Sequence, residues 1–225
     1  MAGGTAPSRA RLVKIVVPVL VIAAAGFAFW RSVRSARAAP YFLTAATGRR
    51  PWRLVIQSQS QSQSPTRPNE PVLVLEAPAE VSRELFDQVF KRSMESMRAP
   101  ELTGIPLVLA GELERGGQRI PADALVEMAR AAGLESTPPT PRCIVHRRAP
   151  EPDARQQVYL ALFDSPALAT FRANLAVRFG PSFDAAALPP ALFVGLVESP
   201  QQRWLPLHLD AQKDCLAPIT IATDS

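Results

Sequence analysis

Few residues of this chain combine the types and spacing that chemistry needs. His146, Arg147 and Arg148 are consecutive, and an imidazole beside two guanidinium forks could hold an anion such as a phosphate. The same triplet also reads as the solvated end of a strand, because clustered arginines are most often surface charge. A second group lies in HLDAQKD, where His208, Asp210 and Asp214 precede Cys215. A metal centre needs about three or four converging ligands. No further partner is visible, so no metal is expected and His208 reads first as a histidine at a strand end. Trp204 reads as a packed residue. Cys143 and Cys215 are the only cysteines, and the sequence leaves open whether they form a disulfide or remain two buried thiols.

Most signatures of catalysis and cofactor binding are missing. There is no Gly-x-Ser-x-Gly elbow, no phosphate-binding Walker loop, no Gly-x-Gly-x-x-Gly, no Cys-x-x-Cys and no His-Glu-x-x-His. No cofactor is expected, and the sequence does not decide whether the protein is an enzyme.

The elements that would have to position these residues occupy 72–225. VLVLE at 72–76 is a short apolar run suited to a buried strand. Val81, Leu85, Phe86, Val89, Phe90 and Met97 follow at helical spacing, with Arg83, Glu84, Asp87 and Lys91 between them. The run 105–113 has strand character and is closed by Gly116 and Gly117. Pro121 opens a second helix that carries Leu125, Val126, Met128 and Ala129 and stops near Gly133. Residues 143–146 and 158–163 read as two strands of a hairpin. Ser165 and Pro166 cap a third helix with Leu168, Phe171, Leu175 and Phe179 on one stripe, ended by Gly180. Strand-like runs at 192–197, 205–209 and 219–222 complete a β-α-β-α-β-β-α-β-β-β order. This predicts an α+β domain with mixed or antiparallel sheets and about three helices.

Upstream, the order changes. IVVPVLVIAAAGFAFW at 15–30 is uncharged between Lys14 and Arg31 and ends on a tryptophan, which predicts one transmembrane helix behind a short basic tail at 1–14. A cleavable signal peptide is the competitor, since Ala36-Arg37-Ala38 has a small-x-small form. Residues 31–71 read as a juxtamembrane segment and a Gln/Ser/Pro linker holding four Gln-Ser repeats. The flanking arginines nearly balance. The short charged tail favours a single-pass protein of a bacterial inner membrane, with 72–225 on the periplasmic side and the lipid bilayer as one partner.

Charge supports the same division. Residues 1–71 carry ten Lys+Arg against Glu70 alone, whereas 72–225 carry 15 basic and 19 acidic residues. A weakly acidic domain gains little from releasing counterions on a polyphosphate, which argues against nucleic acid as a partner. The remaining partner is an unknown protein or small molecule.

Taken together, VLVLEAPAEVSRELF, IPLVLAGELERGGQRIPADALVEMARAAG, QQVYLALFDSPALATFRANLA and LPPALFVGLVES resemble the strand and helix succession of the 2H phosphoesterase family, the RNA ligase and cyclic phosphodiesterase group. In that family each catalytic strand carries His-x-Thr or His-x-Ser, the histidines serving as general acid and base. Aligned on the resemblance, the first pair falls on Gly104 and Pro106 and the second on Ala191 and Phe193. The resemblance therefore implies a diverged member without the catalytic histidines, acting as a non-catalytic binding or scaffolding domain. The alternative is a hydrolase or phosphoesterase working through a non-standard site around His146 or His208.

Overall fold

A computed structural model describes residues 9–57, 70–116, 120–148, 155–183, 188–198, 209 and 211–222. The chain divides into two compact units, Met1–Ala39 and Pro40–Ser225. Among its described residues the first holds one helix, α1 (Arg9–Ala38), in which Leu20, Ile22, Phe27, Phe29 and Trp30 are exposed. Among the described residues no helix is long and apolar enough to cross a membrane. This corrects the reading of 15–30 as a transmembrane helix, and with it the signal-anchor and single-pass descriptions that rested on that helix. The physical reason is length: sixteen uncharged residues rise only about 24 Å, against roughly 30 Å of hydrocarbon.

The second unit is α+β and is built on two sheets. β1 (Tyr41–Leu43), β8 (Cys215–Ile221), β5 (Thr140–Arg148), β6 (Gln157–Asp164) and β7 (Ala191–Val197) form a five-stranded sheet in the order β1-β8-β5-β6-β7. Within it β1 runs parallel to β8 and the other neighbours are antiparallel. β2 (Arg53–Ile56), β3 (Pro71–Glu76) and β4 (Gly104–Leu109) form a three-stranded antiparallel sheet. Residues 31–71, read from the sequence as a juxtamembrane segment and linker, thus contribute β1, the short helix α2 (Ala45–Gly48) and β2. The Gln-Ser repeats after Gln57 and the 205–208 part of the expected 205–209 strand lie outside the described residues.

Local chemistry explains the helices. α3 (Ala79–Ser93) starts behind Pro78, buries Val81, Leu85 and Val89, and ends at Met94 in the left-handed conformation. Met97, assigned from its spacing to this helix, lies beyond it. α5 (Ala122–Ala131) starts behind Pro121 and buries Leu125 and Ala129. In α6 (Pro166–Phe179) the Ser165 hydroxyl accepts from the Leu168 N–H, satisfying one of the orphan donors of the first turn. The expected strand over 105–113 stops at Leu109 and turns into α4 (Ala110–Gly116), because the Glu112 carboxylate folds back to accept the Leu109 N–H at 2.8 Å.

Period-two alternation sends β5 and β6 into two separate cores. Ile144, Tyr159, Ala161 and Phe163 join Leu73, Leu75, Ile105, Leu107 and Phe171 in the larger one. There Trp52 packs edge-on against Phe163 at 5.2 Å, and burying one such ring contributes roughly 2–3 kcal/mol. Cys143, Val145, Val158, Leu160, Leu162 and Phe193 face the other way, beneath Leu109 and Leu188.

Each strand with a neighbour on one side only has its backbone engaged on the other. On β1 the Gln88 amide accepts from the Phe42 N–H at 2.9 Å and donates to the Phe42 carbonyl at 2.6 Å, while Glu84 accepts from the Thr44 N–H at 2.9 Å. Arg92, a further turn along α3, donates to the Pro40 carbonyl at 2.7 Å. Leu54 of β2 donates to Glu135 at 3.1 Å. On β7 Leu196 exchanges two backbone bonds with Arg98, each 3.0 Å. On β4 the Leu107 carbonyl accepts from Arg172 at 3.1 Å and Leu109 donates to Glu112. Sheet edges left open are templates for adding foreign strands, and here side chains on β1, β2 and β4 and the Arg98 backbone on β7 occupy them.

Candidate functional site

The hairpin of β5 and β6 sets His146 opposite Tyr159 and Arg148 opposite Gln157. Facing side chains on antiparallel strands lie within reach of one another, so the imidazole stacks on the phenol ring with centroids 4.6 Å apart and planes at 14°. Nε2 of His146 lies 2.7 Å from Oε1 of Gln157. With the amide oxygen as acceptor, Nε2 is the donor of this bond. Tyr159 in turn donates its hydroxyl to Glu95 at 2.9 Å. Gly195 faces Tyr159 across the ladder, and a Cβ there would come within 2.6 Å of Met97 Sδ, so a larger residue would push the Met97 side chain, two residues from Glu95, aside. The result is a row of Glu95, Tyr159, His146 and Gln157 in which the buried phenol holds the carboxylate and the ring nitrogen meets the amide.

Arg147 does not join this row. Alternation along β5 turns it to the opposite face, where it donates to the Asp214 carboxylate at 2.5 Å. Asp214 ends α7 (Ala211–Asp214), directly before β8. Arg148 is exposed at the end of β5. The triplet adjacent in sequence is therefore divided between two faces and does not converge on one anion. His208, Asp210 and Trp204 lie outside the described residues. Among the described residues no group of three His, Cys, Asp or Glu could hold a metal ion.

The positions aligned with the 2H catalytic pairs are sealed. Gly104, Pro106, Ala191 and Phe193 are all buried. At Gly104 any Cβ would come within 2.8 Å of the Leu75 carbonyl oxygen and would also collide with Val74, so no histidine fits there without displacing β3.

Cys143 and Cys215 are joined in a disulfide, with Cα atoms 5.7 Å apart. It ties the middle of β5 to the first residue of β8, beside the Arg147–Asp214 pair.

A buried ion pair escaped the reading of the sequence. Arg172 and Glu112, with side chains 1% and 2% exposed, meet through both guanidinium Nη atoms, Nη1 reaching Oε2 at 3.0 Å. The same Nη1 donates to Leu107, and Glu112 accepts from Leu109, so the pair is embedded in the backbone of β4. One signal was available. Arg172 stands between Phe171 and Leu175 and four residues after Leu168, on the apolar stripe of α6, and an arginine there requires a buried acid.

No family model, no curated protein and no solved structure matches the chain.

Proposed function

We propose that the second unit is a non-catalytic binding or scaffolding domain, a diverged 2H-phosphoesterase-like fold that no longer performs the family's reaction. The observation that carries this reading is at Gly104, Pro106, Ala191 and Phe193. These residues offer no group that can move a proton, they are buried, and Gly104 has no room for a side chain. The row around His146 supports the same reading, because its polar atoms are engaged with one another and not directed at a common point where a reacting atom could sit. The Cys143–Cys215 disulfide supports a working place in an oxidising compartment such as the periplasm. With strand edges closed, a partner would be recognised through side chains on exposed faces and not by strand addition.

The test is hydrolysis of 2′,3′-cyclic nucleotides by the purified full chain and by its His146→Ala and His208→Ala variants. The expected result is turnover no greater than the buffer blank for all three. Turnover in the parent that disappears in either histidine variant would overturn the proposal in favour of a hydrolase using a non-standard site.

A further inference from the structure

We propose that the outer face of α3 is a self-complementary docking surface and that its partner is a second copy of this chain, in antiparallel register about a two-fold axis near Phe90. The proposal holds whether or not the domain catalyses a reaction.

Two ridges run along that face, each of residues four apart. One is apolar: Phe86 and Phe90 stack with ring centroids 6.0 Å apart and planes at 13°. Phe86 also packs against the core, whereas Phe90 is 47% exposed and Met94, the left-handed residue that follows the last turn, is 92% exposed. The other ridge alternates in charge through Arg83, Asp87 and Lys91, all exposed. Asp87 and Lys91 form no ion pair with another described residue.

Both ridges point to one axis. An antiparallel copy that sets Asp87 against Lys91 of its partner places the two-fold at Val89, midway between them. A copy that sets Phe86 against Met94 of its partner places it at Phe90. The two requirements agree to within one residue, so one arrangement makes two Asp–Lys pairs, lays Phe90 against its symmetry mate and covers both Met94 side chains. A two-fold interface uses the same patch twice and must be self-complementary, which this pattern satisfies. Ridges of residues four apart on both helices also interdigitate in the commonest helix-packing class. The opposite face of α3 is committed to closing β1 through Glu84, Gln88 and Arg92, leaving this face to meet a partner.

A single helix pair buries less than a standard interface of about 1,600 Å², so the dimer is weak and concentration-dependent. The test is sedimentation equilibrium of the full chain between about 1 and 100 μM, the range in which micromolar complexes dissociate. The average mass should rise from 24.4 kDa towards twice that value. Asp87→Lys and Lys91→Asp should each weaken association by roughly tenfold, since each sets like charges together. Mixed in equal amounts, the two variants should associate again, because a ridge carrying a lysine at both positions then faces a ridge carrying an aspartate at both. Unchanged urea midpoints would show that both variants remain folded, as expected for exposed positions. A mass that stays at one chain throughout would overturn the proposal. So would a dimer indifferent to both substitutions, as association through α1 would be, or single variants that weaken association without complementing each other.

Discussion

Arg172 and Glu112 are the residues whose loss the fold should feel most. Both are almost wholly withdrawn from water, and each also satisfies a backbone group of β4. Removing one partner strands the other charge in the interior, so Arg172→Met or Glu112→Gln should each cost about 3–5 kcal/mol in urea denaturation. The double replacement Arg172→Met with Glu112→Leu should recover much of that loss, because neither charge then needs a partner. A double variant no more stable than the singles would mean that the Leu107 and Leu109 backbone groups dominate. Glu135 makes a smaller, pH-dependent contribution. The Leu54 N–H, and secondarily Arg130, hold its carboxyl below the ordinary glutamate range against the opposing effect of burial. Because the folded state prefers the carboxylate, this contribution is present above about pH 4.3 and is lost as pH falls through the lowered folded value. Glu135→Gln should thus be less stable than the parent near neutrality, and the gap should close below that range when denaturation is followed against pH. A gap that persists at low pH would assign the effect to packing. At this scale the sequence was partly legible. His146, Arg147 and Arg148 could be picked out by type, but strand alternation, which divides them between two faces, depends on pairing that adjacency does not reveal. Glu112 was hidden inside a run that reads as strand.

Among the elements, α3 acts as a clamp on β1. Glu84, Gln88 and Arg92 repeat every four residues and bind the backbone of Pro40, Phe42 and Thr44 in step. Gln88→Ala removes both bonds to Phe42, so hydrogen exchange at the Phe42 amide should accelerate by roughly tenfold, while amides of β6 keep their protection. Acceleration spread equally over both strands would indicate global destabilisation instead. α3, α5 and α6 were legible because their signals are local: apolar residues at helical spacing in α3, Pro121 before the first turn of α5, Ser165 as a cap and Gly180 after the last residue of α6, whereas α4 and α7 were not. Gly133, with φ at 81°, follows α5 as expected. β1 and β2 were not legible. They are three and four residues long, too short for a period to emerge, and their order comes from distant partners. The apolar run at 15–30 was legible as a helix, but its sixteen residues fall short of a bilayer's thickness.

At the scale of the molecule, the disulfide closes a loop between positions 72 residues apart. By the chain-entropy relation such a loop contributes about 4 kcal/mol, so Cys143→Ser with Cys215→Ser should lower the unfolding free energy by a similar amount. The parent denatured in excess dithiothreitol should match the double variant, and a difference under about 1 kcal/mol would refute a structural role. The pairing could not be read from the sequence, because the cysteines meet only once β5 and β8 are neighbours. The same adjacency constrains time as well as space. β1, among the first parts of the second unit to be synthesised, is completed by β8, the latest of its described strands in chain order: Tyr41 aligns with Ile219, and the Ala222 N–H reaches the Leu43 carbonyl at 2.8 Å. Until residues 215–221 emerge, β1 lacks its strand partner and Cys143 remains a thiol. Alkylation of Cys143 during synthesis would therefore act as a clock, its loss marking the moment at which the last strand docks.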